Sequence, residues 1–331
     1  MTTLITGASG HVGANLTRFL LENKRAVRVL QHNQDEAITG LPVEIFQGDV
    51  RDVTSLVRAC QNIDVVYHLA ATISIEMSHW RDIEAVNVHG ARNMVEACLQ
   101  SGVRRLVHFS SIHAFNQNPL DQKLDESREP VKPPCPPYDR SKAAGELEVM
   151  KGVRRGLNAV IINPTAIIGP GDYQPSYFGQ VILALAKRRL PGLINGGFDW
   201  VDVRDVVFGA VQAESLAPIG SKYLLSGHWA SLEEIAGLVS DYTGTPPPRF
   251  TSPQWLALFG VPFISAYAHL RRETPLYTRA AIKAVCSNKN INHQKATLEL
   301  GYEPRPLKDT IRDTLSWFEQ NGRLKSGGSV R

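Results

Sequence analysis

Short, nearly unbroken apolar runs alternate along this chain with stretches whose apolar positions recur every three or four residues. The runs lie at 3–6, 26–31, 43–47, 65–69, 106–110, 159–163 and 222–225. A strand wetted on one face alternates in polarity, whereas a strand covered on both faces does not; these runs predict parallel strands buried between helices. Between them, Val12, Leu16, Phe19 and Leu20 make one helical stripe, and Val88, Ala91, Val95 and Cys98 make another. The second ends at Ser101-Gly102, where a glycine just past the last turn is a C-cap signal. Repeated β-α units with right-handed crossovers predict an α/β fold built on a doubly wound parallel sheet.

Beyond residue 164 the alternation weakens, and prolines and aromatics crowd in at Pro170, Tyr173, Pro175, Tyr177, Phe178 and Pro246-Pro247-Pro248. The change predicts a smaller C-terminal substrate lobe interleaved with the last strands. Residues 1–163 with about 198–227 would form the first unit, and 164–197 with 228–322 the second. A closing helix carries Leu307, Ile311, Leu315 and Phe318 and is capped at Asn321-Gly322; the tail 323–331 is expected to be disordered. The most apolar stretch, 255–270, contains Gly260 and Pro262. It is too short to cross a bilayer, so it predicts a helix pair over apolar surface and no membrane insertion.

Composition narrows the class. The 331 residues are 43% hydrophobic and 21% charged, with a net charge of +4, values of a soluble globular chain able to bury a substantial core. Basic residues gather only briefly, at 187–189 and 271–272, and read as solvated faces, not as a nucleic-acid surface. Cys60, Cys98, Cys135 and Cys286 stand far apart, without metal-ligand spacing and too few for a disulfide scaffold; a reducing cytoplasm and no metal are expected. The first apolar run opens straight into a glycine-rich turn and reads as a core strand, not a leader.

That turn is Thr6-Gly7-Ala8-Ser9-Gly10-His11-Val12-Gly13. Gly7 permits a tight bend, Gly10 removes a side chain where a pyrophosphate must approach backbone N–H groups, and Gly13 lets the helix pack on the sheet. At the first strand–helix junction of a repeated β-α chain, this predicts a Rossmann-type dinucleotide site, with Ser9, His11 and Val12 in the phosphate turn. Gly48-Asp49-Val50 after the third strand offers an acceptor for the adenine amino group. Leu69-Ala70-Ala71 after the fourth leaves room for ribose and phosphates. An acid at the end of the second strand would bond a ribose 2′-OH and repel a 2′-phosphate. Gln31-His32-Asn33 holds neither an acid nor an arginine, so NADP is permitted and favoured over NAD.

The candidate chemistry lies in Tyr138-Asp139-Arg140-Ser141-Lys142. On a helix, residues four apart share a face, which sets the Tyr138 phenol beside the Lys142 amine. A nearby cation favours the phenolate, and the phenol can then exchange a proton with a substrate oxygen. Ala143, Leu147 and Met150 are expected to be the buried stripe of this helix. Ser111, at the C-terminal edge of the fifth strand, stands where such sheets place their chemistry and can hold a carbonyl oxygen. Alone, the Tyr–Lys spacing suits a surface pair equally well, and Ser111 a turn cap. Asn87 interrupts a helical pattern, which hints at a polar task such as holding water or a backbone carbonyl near the site.

Taken in order, the glycine turn, Asp49, His68-Leu69-Ala70-Ala71, Asn87, Ser111, Tyr138 with Lys142, Asn163-Pro164-Thr165 and Gly169-Pro170 resemble the extended short-chain dehydrogenase/reductases over nearly the whole chain. This is the NAD-dependent epimerase/dehydratase superfamily. The stretches from Phe198 to Val206 and from Lys295 to Pro304 resemble its dihydroflavonol 4-reductase and 3β-hydroxysteroid dehydrogenase branch. The resemblance implies that Ser111, Tyr138 and Lys142 form a catalytic triad and that Lys142 also bonds the nicotinamide ribose. It implies further that Asn163, Pro164, Thr165 and Ile167 line the nicotinamide end. The expected reaction is hydride transfer between NADP or NAD and a carbonyl or alcohol. Ser111, His113, Tyr173, Tyr177 and Phe178 form the expected pocket, suited to a mainly hydrophobic small molecule. The alternative is a nucleotide-sugar epimerase or dehydratase. An arginine that such enzymes usually carry is replaced here by Asn195-Gly196-Gly197-Phe198-Asp199, with Arg188 and Arg189 as conceivable substitutes. A homodimer through 86–100 and 142–151 is also implied.

Overall fold

In the computed structural model, which describes residues 1–32, 36–73, 80–259, 261, 282 and 284–325, the apolar runs form one parallel sheet. Its strands are β1 (Thr2–Thr6), β2 (Ala26–Gln31), β3 (Glu44–Gln47), β4 (Val65–His68), β5 (Arg105–Phe109), β6 (Ala159–Pro164) and β10 (Lys222–Leu225). They lie in the order β3-β2-β1-β4-β5-β6-β10. Strands β4, β5 and β6 are buried at every position, which is why their sequences lack alternation. The strand order reverses between β1 and β4, and the crevice for ligands in such a sheet opens at that reversal. Thr6 pairs with His68 there, so Gly7 and Leu69 leave the sheet side by side.

Helices cover both faces. On one, α1 (His11–Glu22) and α7 (Val203–Leu216) bury Leu16, Leu20, Val207 and Ala210 with Tyr67 of β4. On the other, α2 (Val53–Ala59), α4 (Gly90–Ser101) and α5 (Pro137–Arg154) bury Leu56, Met94, Cys98 and Val149. Gly102 ends α4 in the left-handed conformation with φ 66°, as the glycine signal predicts. A short α3 (Trp80–Glu84) runs into α4 through a π turn, Ala85–His89. The structure differs from expectation in α5. Leu147 is 54% exposed, and the buried face carries Ser141, Lys142, Gly145, Glu146 and Val149 with Ala143. Apolar periodicity misses this because polar side chains are drawn inward by hydrogen bonds and charge pairing.

A second apolar core belongs to β7 (Ala166–Ile168), β9 (Gly197–Asp202) and β11 (His228–Ser231), which form a three-stranded sheet ordered β11-β9-β7. Helices α6 (Tyr177–Ala186), α8 (Leu232–Thr243) and α10 (Leu307–Gln320) close it, burying Ile182, Trp200, Ile235, Leu315 and Phe318. Strands β8 (Leu193–Ile194) and β12 (Thr251–Ser252) pair beside it, while α9 (Gln294–Leu300) returns to the large sheet through Ala296 and Leu300. Of the segment 198–227, α7 and β10 join the large sheet, and β9 pairs with β7 and β11. Arg323 donates to the Tyr173 carbonyl, and 326–331 lie outside the described residues. So do Asn33, Arg271, Arg272 and most of the stretch 255–270, whose described part leaves Trp255 and Phe259 64% and 73% exposed. Among the described residues, no helix is long and apolar enough to cross a membrane.

Candidate active site

The three glycines of the first turn serve different needs. Gly7 has φ +72°, and a Cβ on it would lie 2.8 Å from Ala70 N; a Cβ on Gly13 would lie 2.1 Å from Gly7 O. The chain itself therefore requires both. Gly10 has an ordinary φ of −71°, and its Cβ would meet only Gly7 O at 3.4 Å. Nothing within the chain requires a glycine there; the empty position suits a group from outside. Helix α1 begins next to it with no side-chain cap and no acid in its first turn, so its first N–H groups and dipole are free for an anion.

A cavity of about 760 Å³ opens at this helix end, lined by Gly7, Ser9, Gln31, His32, Asp49, Val50 and Ala70 of the expected set, together with Ala8, Ile38, Thr72 and Asp82. The volume falls in the range of ligand sites. A glycine cradle, an uncapped helix end and no acid in its first turn fit a dinucleotide pyrophosphate. Expected neighbours lie around it in other roles. His11 Nε2 sits 3.0 Å from Pro170 O, bracing the loop after β7 against α1.

One expectation is corrected here. The end of β2 has no arginine in sequence, yet Arg51 lines the same cavity from the turn after β3. Its Nη2 lies 2.5 Å from Asp49 Oδ2, its Nε reaches both carboxylate oxygens, and His32 Nε2 stands 3.5 Å from the same carboxylate. Parallel pairing of β2 with β3 puts Gln31 beside Gln47, which brings the two turns together; adjacency in sequence does not show it. The Arg51 hydrogen bond holds Asp49 below the usual carboxylate range.

The candidate proton-transfer residues converge at the C-terminal edge of β5. Ser111 caps a short 3-10 turn, Ile112–Ala114, accepting the His113 N–H at 3.2 Å. Helix α5 starts where it does because Pro137 fixes its first turn, with Asp139 near its N-terminus and Lys151 and Arg154 near its end, each favoured by the helix dipole. Its first turns carry Tyr138 and Lys142. The Ser111 hydroxyl stands beside the Tyr138 phenol and favours its ionised form. Burial nevertheless pushes that phenol up to about 12, with Ser111 lowering it and Asp139 raising it. The simple expectation of a cation beside the phenol is therefore modified. Lys142 Nζ donates to Phe109 O at 3.0 Å, and burial brings this amine down to about 8 against the pull of Glu146.

Two asparagines brace this arrangement. Asn87, in the π turn, accepts the Thr72 N–H at 2.8 Å and donates to Thr72 O at 3.0 Å and Ser141 Oγ at 2.9 Å. It thereby ties the loop after β4 to the helix of Tyr138 and Lys142. Asn163 is fully buried and donates to Ser111 O and Glu146. Thr165 donates to buried Asp199 at 2.7 Å, while Pro164 and Ile167 continue through β6 and β7. Sequence reasoning missed His68 and His108, stacked at 5.4 Å behind Lys142, and Glu146, whose signal was its place one turn after Lys142.

The expected pocket residues divide into three places. His113 lies at the site, its ring 5.9 Å from that of Tyr138 and its Nδ1 3.3 Å from Asp139. Tyr177 and Phe178 line an apolar cavity of about 40 Å³ with Phe198 and Trp200. Tyr173 instead packs on Trp317 at 5.1 Å and under Arg18.

Comparison with known proteins adds the family. The model of the NAD dependent epimerase/dehydratase family matches residues 3–217, a span that contains the glycine turn, Ser111, Tyr138 and Lys142. Over 98% of its length the chain is 36% identical to sterol demethylase protein B of Methylococcus capsulatus, covering all of that protein. It is 32% identical to a putative dihydroflavonol 4-reductase of Synechocystis sp., over 97% of this chain and 96% of the relative. The crystal structure of gox2253 superimposes with a TM-score of 0.84 at 31% identity, over 98% of this chain and 99% of that one. Fold, site geometry and relatives agree: the chain is an NAD(P)-dependent enzyme and belongs to the NAD dependent epimerase/dehydratase family, in its dihydroflavonol 4-reductase and 3β-hydroxysteroid dehydrogenase-like branch.

Proposed function

We propose that this enzyme is an oxidoreductase acting on the carbonyl or alcohol of a mainly hydrophobic small molecule, with Ser111, Tyr138 and Lys142 managing the proton. The observation that carries the reading is the Ser111 hydroxyl standing beside the Tyr138 phenol and favouring its ionisation, with Lys142 one turn further on the same helix. When bound, the nicotinamide supplies or takes up the hydride. In the reducing direction, Ser111 holds the substrate oxygen and the Tyr138 O–H delivers its proton to it. A phenol pushed up to about 12 keeps that proton in place at neutral pH. In the oxidising direction the phenolate must form; Ser111 lowers the phenol toward it, and the Lys142 ammonium favours it once turned from Phe109 O toward the ring.

Cofactor and substrate class follow from the surroundings. Arg51 and His32 flank the Asp49 carboxylate in the cavity where β2 ends without an acid of its own; an arginine there able to turn from Asp49 to a 2′-phosphate supports NADP over NAD. Relatives at 36% and 32% identity are named for sterol and dihydroflavonol chemistry, which supports a ring-type hydrophobic substrate. The nucleotide-sugar reading ranks second. At the segment where a second pyrophosphate would need a cation, Gly196 and Gly197 close instead against Val285 and Ala230. The exposed Leu147 on α5 and the adjacent α4 make the face through which we infer dimerisation.

The test is Tyr138→Phe. Turnover should fall about 100- to 10,000-fold, the range of one general acid–base group, while the NADPH dissociation constant stays close to that of the unaltered chain. Near-normal turnover would exclude the role.

A further inference from the structure

Glu146 is 3% exposed and stands one helical turn after Lys142, on the same face of α5. A buried carboxylate is costly unless it is paired and hydrogen-bonded. Here Lys222 of β10 forms an ion pair with it, and Asn163, near the end of β6, donates its amide to Oε1 at 2.6 Å. The same Asn163 nitrogen donates to the Ser111 backbone oxygen at 3.0 Å. One carboxylate thus holds Asn163 near the end of β6 and Lys222 at the start of β10, reaches the backbone after β5 through Asn163, and has the buried amine of Lys142 one turn away.

We propose that Glu146 is a positioning residue for the proton-transfer site, supplying the counter-charge of the Lys142 ammonium and, through Asn163, fixing the backbone that carries Ser111. The inference rests on the reading of Tyr138 and Lys142 given under the proposed function. The ionisable groups facing Lys142 are Tyr138, Asp139 and Glu146 on its own helix, His68 of β4, His108 of β5 and Lys222 of β10. His68 and His108 are kept neutral by burial, and Asp139 is turned toward His113. Glu146 is therefore the anion that opposes the burial of the Lys142 charge. Lys222 in turn balances Glu146, and its removal leaves the full carboxylate charge to act on Lys142.

The two partners predict shifts of opposite sign. Glu146→Gln lets Lys142 lose its proton at lower pH, so the alkaline limb of NADPH affinity and of kcat moves down by about one pH unit, the effect of one opposite charge at short range. Lys222→Met moves the same limb up, and Glu146→Asp returns it toward the unaltered position. The experiment measures NADPH binding by fluorescence, and turnover, from pH 6 to 10 in the full chain and these variants, with melting temperatures recorded alongside. Limbs that stay in place, or that move in one direction in both variants, reduce Glu146 to a structural brace and overturn the proposal. If Glu146→Gln does not fold, Lys222→Met, at a site 24% exposed, carries the test alone. Tyr138→Phe separates the two readings. Retained turnover there removes the proposed function itself, whereas an inactive Tyr138→Phe with unmoved limbs removes only the assignment of Glu146.

Discussion

Gly10 and Gly13 differ by three positions and by what would punish a side chain. Gly13→Ala drives a methyl group into Gly7 O, 2.1 Å from the ideal Cβ position, and should cost about 3 kcal/mol in urea unfolding because backbone on both sides must shift. Gly10→Ala has room within the chain and should fold normally, yet lose NADPH affinity at least about tenfold, a change of about 1.4 kcal/mol. Equal effects of the two on stability would contradict the assignment of the cradle. His68 offers a second test at this scale. Burial holds it neutral down to about 3, against 6.5 for a free imidazole. Below 6.5 the unfolded chain takes up a proton that the folded chain refuses, so this contribution is whole above 6.5 and is lost as pH falls toward 3. Unfolding free energy should therefore drop between pH 6 and 4 by about 1.4 kcal/mol per pH unit for this histidine, and His68→Gln should flatten the slope. An unchanged slope would show that the imidazole titrates freely. The sequence assigns Gly10 and Gly13 separate tasks, but it gives no reason for His68. A histidine in an apolar strand reads as a core residue until pairing sets His68 beside His108.

The elements were the most legible part. Mostly apolar runs marked the large sheet because its central strands β4, β5 and β6 are covered on both faces, while edge strand β3 is largely exposed. The small sheet was harder, since β7 has three residues and β9 owes its place to aromatic packing of Phe198 and Trp200 against Phe178. In α5 the apolar stripe misled, because Lys142 and Glu146 are buried for charge while Leu147 is not. Arg51 escaped notice for a related reason: its neighbour across the cavity is set by strand pairing, not by sequence distance. One joint between elements carries its own prediction. Glu214 of α7, with a side chain 2% exposed, bonds Arg25 at 2.6 Å and accepts the Tyr67 phenol at 2.6 Å, fastening the helix to the central strand of the sheet. Glu214→Ala strands two partners of a buried ionic cluster and should lower stability by about 3 kcal/mol in chemical denaturation. A loss below about 0.5 kcal/mol would place that cluster in the class of solvated surface pairs.

At the scale of the molecule, apolar cores on both faces of the large sheet and another at the small sheet leave the candidate chemistry at the C-terminal edge of the larger sheet. On the proposed reading, the 760 Å³ cavity marks the dinucleotide end, and Ser111, Tyr138 and Lys142 mark where the proton moves. Family membership fixes the cofactor class and leaves two chemistries, net oxidation or reduction of a hydrophobic substrate and epimerisation of a nucleotide sugar. They differ in one observable, whether reduced nicotinamide is consumed. The most direct measurement follows NADPH and NADH absorbance with the purified full chain against sterol-sized ketones, aldehydes, dihydroflavonol-type carbonyls and UDP-sugars. The account predicts consumption of NADPH in step with formation of an alcohol from a ring-type ketone, with NADH the poorer donor. Interconversion of UDP-sugars without net loss of reduced cofactor, and no consumption with any carbonyl, would contradict it.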